Sequence, residues 1–286
     1  MNVMNNQIVL ITGANSGMGL ASTVELAKAG AHIVMACRSK ERGEQALQQA
    51  MQQSGSKRIE LMLCDLGSFE SIRAFAETFK HKFDRLDVLL NNAGVVSLKR
   101  ELTTDGYESA IGVNHLGHFL LTNLLIELLE KAPQGRIINV SSGAHKAGKI
   151  HYPDPSLTKG FNVVKSYSQS KLANILFTKE LARRLKGTNV TVNCLHPGAV
   201  GTSIGVDRQT GFGKSVHTLL RPFFLTPAQG ADTAIYLATS DEGGKVSGKY
   251  FYKRKITNVS TKANDSTEAL KLWEWSEQQV DITTVQ

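Results

Sequence analysis

Short, continuously apolar segments alternate along the chain with longer segments in which apolar residues recur every three or four positions. The short segments are rich in Val, Ile and Leu and are apolar along their whole length, which is typical of strands buried on both faces of a parallel sheet. They predict seven strands, at 7–12, 31–36, 59–64, 86–92, 135–142, 189–195 and 248–252.

The longer segments have the spacing of amphipathic helices. Because strands and helices alternate, right-handed crossovers should place helices on both faces of one parallel sheet. We therefore predict an α/β protein whose residues 1–286 form a single domain, with a doubly wound (Rossmann) fold and a parallel sheet of about seven strands. The predicted helices cover 18–30, 40–54, 69–83, 118–132, 167–185 and 266–280.

Two long segments interrupt this alternation, at 143–165 and at 199–226. Long irregular segments in compact domains are often lids or binding loops. We expect 199–226, which is rich in glycine and partly apolar, either to close over a ligand or to pack against the core or a partner subunit. The C-terminal tail, 262–286, could cover an edge of the core or a neighbouring chain.

Composition narrows the class of protein. Hydrophobic residues make up 41% and charged residues 20% of the chain, as in globular proteins. No apolar run approaches the ~20 residues of a membrane-spanning helix. The N-terminal residues lack the basic segment and the small-residue cleavage site of a signal peptide. We therefore predict a cytoplasmic protein without a membrane partner.

The charge distribution and the cysteine content argue against a nucleic-acid-binding protein and against a metal-binding one. The net charge is +8, but the basic residues are scattered, and the densest cluster, Lys253-Arg254-Lys255, is three residues long. Without a basic groove or a zinc-finger pattern we predict no nucleic-acid partner. The three cysteines have no CxxC spacing and lie in apolar runs, which indicates buried thiols and no metal site.

A glycine cluster follows the first predicted strand and precedes the first predicted helix. Glycines let the backbone approach a ligand closely, and a helix N-terminus offers free N–H groups to a pyrophosphate. The spacing is GxxxGxG, a variant of the dinucleotide-binding pattern. The residues that we expect to bind the phosphates are Gly13, Asn15, Ser16, Gly17, Met18 and Gly19.

The end of the second strand indicates which dinucleotide binds. An acidic residue there suits the free 2′-hydroxyl of NAD, whereas a basic residue suits the 2′-phosphate of NADP. Arg38 stands at this position with no acid beside it, so we predict NADP(H) over NAD, with an exposed helix start as the alternative reading of Arg38. Further candidates at the carboxyl ends of strands three and four are Asp65, Leu66, Asn92, Ala93 and Gly94.

The stretch YSQSK places Tyr167 and Lys171 one helical turn apart, on the same face of a helix. A neighbouring ammonium favours the phenolate, so Lys171 should lower the pKa of Tyr167 and allow it to act as a general acid or base. This spacing also occurs by chance in ordinary surface pairs. Ser142, at the end of strand five, could donate a hydrogen bond to a carbonyl oxygen or simply cap the chain as it leaves the sheet.

The chain resembles the short-chain dehydrogenase/reductase family, and most closely its retinol-dehydrogenase-like branch. The matching motifs, in the family's order, are TGANSGMG, Asp65, NNAG, Asn114, Ser142, YSQSK and His196-Pro197-Gly198. The resemblance implies that Tyr167 donates or accepts the proton, that Ser142 holds the substrate oxygen and that Lys171 binds the nicotinamide ribose. It also implies that Asn114 positions a water that relays protons to Lys171, and that Pro197, Gly198 and Thr202 contact the cofactor.

These expectations support one leading hypothesis and leave others open. The leading one is an NADP(H)-dependent oxidoreductase that interconverts a carbonyl compound and an alcohol. Its small-molecule substrate is expected to be apolar because the 199–226 segment contains Ile204, Val206, Phe212, Leu219, Leu220, Phe223 and Phe224. The alternative is an NADP-binding regulator or scaffold without catalysis. A homodimer or homotetramer through the helices at 118–132 and 166–181 is open, since burial within the monomer explains the same apolar residues.

Overall fold

The computed structural model describes residues 4–198 and 225–282, and its centre is one sheet. All seven predicted strands are present, with ends within two residues of those predicted. An eighth follows, paired antiparallel with the seventh. The strands are β1 Ile8–Thr12, β2 His32–Cys37, β3 Ile59–Leu63, β4 Val88–Asn91, β5 Gly135–Val140, β6 Val190–His196, β7 Tyr250–Tyr252 and β8 Lys255–Ile256.

The sheet order is β3-β2-β1-β4-β5-β6-β7-β8, and the first seven strands are parallel. From β1 the chain moves outward to β3 and then returns to the other side of β1 as β4. This reversal opens a crevice between β1 and β4 at the carboxyl ends of the strands, which is where open α/β sheets bind ligands. The sequence-predicted doubly wound fold is confirmed.

Helices cover both faces of the sheet, as predicted. Their bounds are α1 Gly17–Lys28, α2 Lys40–Ser54, α3 Phe69–Lys82, α4 Ser109–Ile111, α5 His118–Glu130, α6 Val163–Arg184, α7 Pro227–Thr239, α8 Asp241–Lys245 and α9 Ser266–Val280. Buried residues of α1, α2 and α7 pack on one face of the sheet. Those of α3, α5, α6 and α9 pack on the other.

Between α4 and α5 the helix widens into a π-helical turn, Gly112–Gly117. Such turns insert an extra residue into a helix and are frequent at functional sites. Here the turn carries Asn114 and His115, both of which are buried. The sequence pattern did not predict this local change of helix geometry.

The C-terminal helix α9 has the bounds that its sequence pattern predicts, and it packs on the core of its own chain. Trp273 is 1% exposed and meets the rings of Phe119 and Phe177, with centroids 4.9 and 5.9 Å away. Phe119 belongs to α5 and Phe177 to α6, so α9 covers apolar surface of both helices.

Most of the segment 199–226 lies outside the described residues, and so does Thr202, so their predicted roles stay predictions. Of this segment the structure describes Leu225 and Thr226. Thr226 caps α7 in a reciprocal arrangement: its hydroxyl accepts from the Gln229 N–H, and its own N–H donates to the Gln229 side chain. The cap fixes where the chain enters α7.

Candidate active site

The loop between β1 and α1 is shaped by two glycines that leave no space for a side chain. Gly13 has a φ of 63°, in the left-handed region that favours glycine, and a Cβ there would lie 2.9 Å from Cα of Ala93. A Cβ on Gly19 would lie 2.3 Å from the carbonyl oxygen of Gly13. The first turn of α1 therefore packs directly on the loop.

The N-terminus of α1 is open toward the crevice. Ser16, the residue before Gly17, is exposed and makes no side-chain capping hydrogen bond, and the first turn has no acidic residue. The first N–H groups of a helix have no intrahelical partner and form the positive end of its dipole. With the partly exposed Asn15 and Met18 beside it, this end fits a pyrophosphate.

The end of β2 lies against the same loop and is flanked by positive charge. Burial raises the pKa of the Cys37 thiol to about 11, and the backbone N–H groups of Ala14 and Asn15, which lie near the sulfur, oppose that rise. Arg38 follows directly and is exposed, and the charge of Arg42 also acts on Cys37. A guanidinium group at this place fits a 2′-phosphate.

Asp65 and Leu66 lie at the same edge, immediately after β3. Oδ1 of Asp65 accepts the N–H of Gly67 at 2.9 Å, and the N–H of Asp65 donates to Oγ of Ser71 at 3.0 Å. Leu66 is buried. These contacts hold the turn after β3 in the position that the sequence predicted.

The segment after β4 is bound to the glycine loop. Nδ2 of Asn92 donates to the carbonyl oxygen of Thr12 at 2.8 Å, and the backbone N–H groups of Asn92 and Ala93 both donate to Oγ1 of Thr12 at 3.0 Å. Gly94 faces the reacting side, because a Cβ there would lie 3.5 Å from Nζ of Lys171. The phosphate loop and the reacting residues thus meet at this segment.

Ser142, Tyr167 and Lys171 come together on the other side of the crevice. The hydroxyl of Ser142 is close enough to the phenol of Tyr167 to lower its pKa, and it accepts the N–H of Ala144 at 3.2 Å. Ser142 therefore caps the chain as it leaves the sheet, and its contact with a substrate oxygen stays a prediction. Nζ of Lys171 lies 5.6 Å from the ring centre of Tyr167 and donates to the carbonyl oxygen of Val140 at 3.1 Å.

Burial dominates the electrostatics of this trio. Burial raises the pKa of Tyr167, and the hydrogen bond from Ser142 opposes that rise. Burial also lowers the pKa of Lys171, to about 8. Removal of the phenol from water therefore dominates the pKa of Tyr167, and the expected lowering by Lys171 stays a prediction.

Asn114 is fixed by hydrogen bonds on every polar atom of its side chain. Its Nδ2 donates to the carbonyl oxygen of Val95 and to Oγ of Ser170, both at 3.0 Å, and its Oδ1 accepts the N–H of Val95 at 2.8 Å. Its main-chain carbonyl accepts Nδ1 of His118 at 3.1 Å.

Two of the three residues after β6 that are predicted to contact the cofactor, Pro197 and Gly198, lie in the described part of the chain. The N–H of Gly198 donates to Nδ1 of His196 at 3.2 Å, and the ring of His196 stacks on Tyr252 with centroids 4.7 Å apart. Pro197 and Gly198 therefore leave the sheet at its carboxyl edge.

Sequence reasoning missed two buried residues that connect these parts. Thr12 closes β1, and His118 begins α5; their side chains meet at 2.9 Å although 106 residues separate them. The only sequence signal was the second histidine in VNHLGHF, four residues after Asn114. Nothing in that spacing indicates a contact with β1.

Comparisons with known proteins agree with this geometry. The profile of the short chain dehydrogenase family matches residues 7–211. Retinol dehydrogenase 14 of Mus musculus is 46% identical over 98% of this chain and 87% of its own length. Retinol dehydrogenase 11 of Homo sapiens is 43% identical over 94% of this chain and 84% of its own length.

Solved structures share the fold. An uncharacterised protein from Mycobacterium Paratuberculosis superposes with a TM-score of 0.79 at 34% identity, covering 99% of this chain and 96% of its own. A short-chain dehydrogenase from Shigella flexneri complexed with NADP superposes with a TM-score of 0.69 at 23% identity, covering 87% of this chain and 98% of its own. The chain belongs to the short-chain dehydrogenase family. It is an oxidoreductase acting between alcohol and carbonyl compounds, similar to retinol dehydrogenases.

Within residues 4–198 and 225–282, no helix is long and apolar enough to cross a membrane. In the same ranges, no group of three or more histidine, cysteine, aspartate or glutamate side chains is arranged to hold a metal ion.

Proposed function

We propose that the protein is an NADP(H)-dependent oxidoreductase in which Tyr167 exchanges the proton with the substrate oxygen. The observation that carries the proposal is the meeting of Tyr167, Ser142 and Lys171 beside the loop that fits a pyrophosphate. The nicotinamide cofactor, when bound, supplies or receives the hydride. The protein supplies placement and electrostatics.

Each residue of the site then has a distinct task. Tyr167 gives its phenolic proton to the developing alkoxide in reduction and takes it back in oxidation. Ser142, whose hydroxyl lies near that phenol and lowers its pKa, orients the substrate oxygen. Lys171, with a pKa of about 8, can hold or release a proton near neutral pH, and Asn114 would position the water that resupplies it.

The proposed preference for NADP(H) rests on Arg38 and on the second guanidinium group, that of Arg42, near the end of β2. A charge-assisted hydrogen bond contributes about 1.5–3 kcal/mol, which corresponds to roughly 10–150-fold in affinity. Replacing Arg38 by Glu should reduce kcat/KM for NADPH by such a factor and leave NADH almost unaffected. Lys40→Ala, which removes a nearby exposed charge, is the control for a general field effect.

The substrate is proposed to be an apolar aldehyde, ketone or alcohol. Its support is the apolar sequence of 199–226 and the similarity to retinol dehydrogenases. Isoprenoid aldehydes and alcohols are therefore the first compounds to test, followed by aliphatic and aromatic ones.

The deciding experiment measures NADPH oxidation and NADP reduction on that panel, with Tyr167→Phe beside the wild type. Removal of a general acid should reduce kcat by about 10²–10⁴-fold. Tyr236→Phe, which removes an exposed phenol hydrogen-bonded to Glu242, should leave kcat unchanged. Tight NADPH binding without turnover on any compound would favour the alternative, a cofactor-binding regulator or scaffold.

A further inference from the structure

A continuous chain of buried side chains runs from the phosphate loop to the π-helical turn. Oγ1 of Thr12 lies 2.9 Å from Nε2 of His118, and Nδ1 of His118 lies 3.1 Å from the carbonyl oxygen of Asn114. All three residues are buried. The imidazole therefore bridges the glycine loop and the residue expected to hold the relay water.

The direction of each hydrogen bond follows from the number of donors and acceptors. A threonine hydroxyl has one O–H and two lone pairs, and the N–H groups of Asn92 and Ala93 fill both lone pairs. Its O–H must then donate. Nε2 of His118 lies at 2.9 Å, whereas the competing carbonyl oxygen of Leu90 lies at 3.4 Å.

The tautomer of His118 follows in the same way. A carbonyl oxygen can only accept, so Nδ1 carries the hydrogen that is donated to Asn114. In a neutral imidazole the other nitrogen is then an acceptor, which is what the Thr12 hydroxyl requires. A charged imidazole would turn Nε2–H toward an oxygen with no lone pair left. Burial independently lowers the pKa of His118, to about 4.

We propose that His118 is a positioning residue that joins the phosphate loop to Asn114, accepting from Thr12 and donating to the Asn114 main-chain carbonyl as a neutral Nδ1–H imidazole. The imidazole N–H thereby occupies one acceptor direction of the carbonyl of Asn114, the residue expected to position the relay water. The consequence for turnover rests on the proposed function, whereas the hydrogen bonds and the link to the phosphate loop do not.

Two substitutions separate the two ends of the bridge. The amide of His118→Asn reaches about as far as Nδ1 and can still donate to Asn114, but it no longer meets Thr12. The amide of His118→Gln reaches about as far as Nε2 and can accept from Thr12, but it releases the Asn114 carbonyl. Each variant thus loses one hydrogen bond, which contributes about 0.5–1.5 kcal/mol, or roughly 2–13-fold.

The experiment measures Kd for NADPH, kcat and KM for both variants and the wild type, with His81→Asn, an exposed histidine, as control. We expect His118→Asn to weaken NADPH binding more than it lowers kcat, and His118→Gln to lower kcat more than it weakens binding. Equal effects of the two variants on both quantities, or a change in thermal stability alone, would overturn the proposal.

A second measurement is independent of turnover. Nitrogen-15 NMR of the histidine side chains should show, between pH 5 and 8, a neutral Nδ1–H signal that is absent from the His118→Gln spectrum; the signal of His145, whose Nδ1 lies 2.8 Å from the carbonyl oxygen of Ser142, should remain. An Nε2–H tautomer of His118, or a charged His118 ring at pH 6, would refute the bridge. If wild-type protein turns over no substrate while this signal is present, the proposed function fails and the bridge stands.

Discussion

The nucleotide half of the molecule, β1–β4 with the glycine loop, and the C-terminal half, β5–β8 with α6 and α9, are stabilised in different ways. In the first, short contacts between backbone groups fix the loop, and glycines are required at Gly13 and Gly19. In the second, aromatic side chains hold α9 on α5 and α6 over long sequence distances. The conformation of a ligand-binding loop can therefore be encoded in eight consecutive residues. The position of α9 on the core depends instead on packing between residues that are far apart in sequence.

The largest effect is expected in the C-terminal half, from Trp273→Ala. Loss of a buried tryptophan costs about 3–5 kcal/mol of unfolding free energy, measured by urea denaturation. Because α9 also holds the π-helical turn through Ser276, whose Oγ lies 2.7 Å from Nε2 of His115, kcat of the folded protein should fall as well. Leu270→Ala, on the same helix and 39% exposed, should change neither. An unchanged kcat for Trp273→Ala would show that α9 stabilises the core but does not position the π-helical turn.

The two halves meet at the π-helical turn, and acid should weaken that junction. Burial lowers the pKa of His115 to about 3 and that of His118 to about 4, from an ordinary value of 6.5. At a pH between the lowered pKa of each histidine and 6.5, the unfolded chain binds more protons than the folded one. The free energy of unfolding therefore falls as pH falls below 6.5.

His115→Gln should therefore make the protein less sensitive to acid. Between pH 7 and pH 4.5 the wild type should lose about 2–3 kcal/mol more unfolding free energy than the variant. The measurement is urea denaturation at both pH values, with the exposed His81→Gln as control. Parallel losses in wild type and His115→Gln would mean that His115 is not the acid-sensitive group.

In the nucleotide half, Gly19→Ala tests whether local geometry alone defines the loop. The added Cβ would lie 2.3 Å from the carbonyl oxygen of Gly13, and forcing extra atoms into a packed site costs about 1–3 kcal/mol. NADPH affinity should fall correspondingly, by calorimetric titration. Glu25→Ala, on the exposed face of the same helix and outside the loop, should bind NADPH as the wild type does.

The smallest expected effect is a gain in stability from Lys171→Met. The pKa of Lys171 falls from 10.5 to about 8 on burial, so the ammonium destabilises the folded state at pH 7, and stability rises with pH between about 8 and 10.5. In the variant the carbonyl oxygen of Val140 would still accept a hydrogen bond from Nδ2 of Asn174, which lies 3.0 Å away. We expect Met to raise the unfolding free energy at pH 7 by about 1–2 kcal/mol, while turnover is lost.

The control for this gain is Lys165→Met, a lysine on the same helix that is not buried. Its stability should equal that of the wild type at every pH. A Lys171→Met protein less stable than wild type at pH 7 would mean that the ammonium makes favourable contacts which outweigh its burial.

The same contrast explains what the sequence could predict. The seven parallel strands and the bounds of α9 follow from hydrophobic periodicity, which is local. The strand β8 was missed because its hairpin turns at Lys253 and Arg254, with φ of 50° and 62°, whereas such turns usually contain asparagine and glycine. The contact between Thr12 and His118 was missed because only the folded sheet brings them together.

The contacts of α9 also determine when during synthesis the site can be completed. Arg73, Tyr107 and His115 hydrogen-bond to residues of α9 that lie 207, 172 and 161 positions later in the chain. At roughly 5–20 residues per second, the turn around Asn114 leaves the ribosome roughly ten to thirty seconds before its partner on α9 exists. A nascent chain can therefore form its glycine loop early, but the reacting side of the crevice is secured only after α9 has been made.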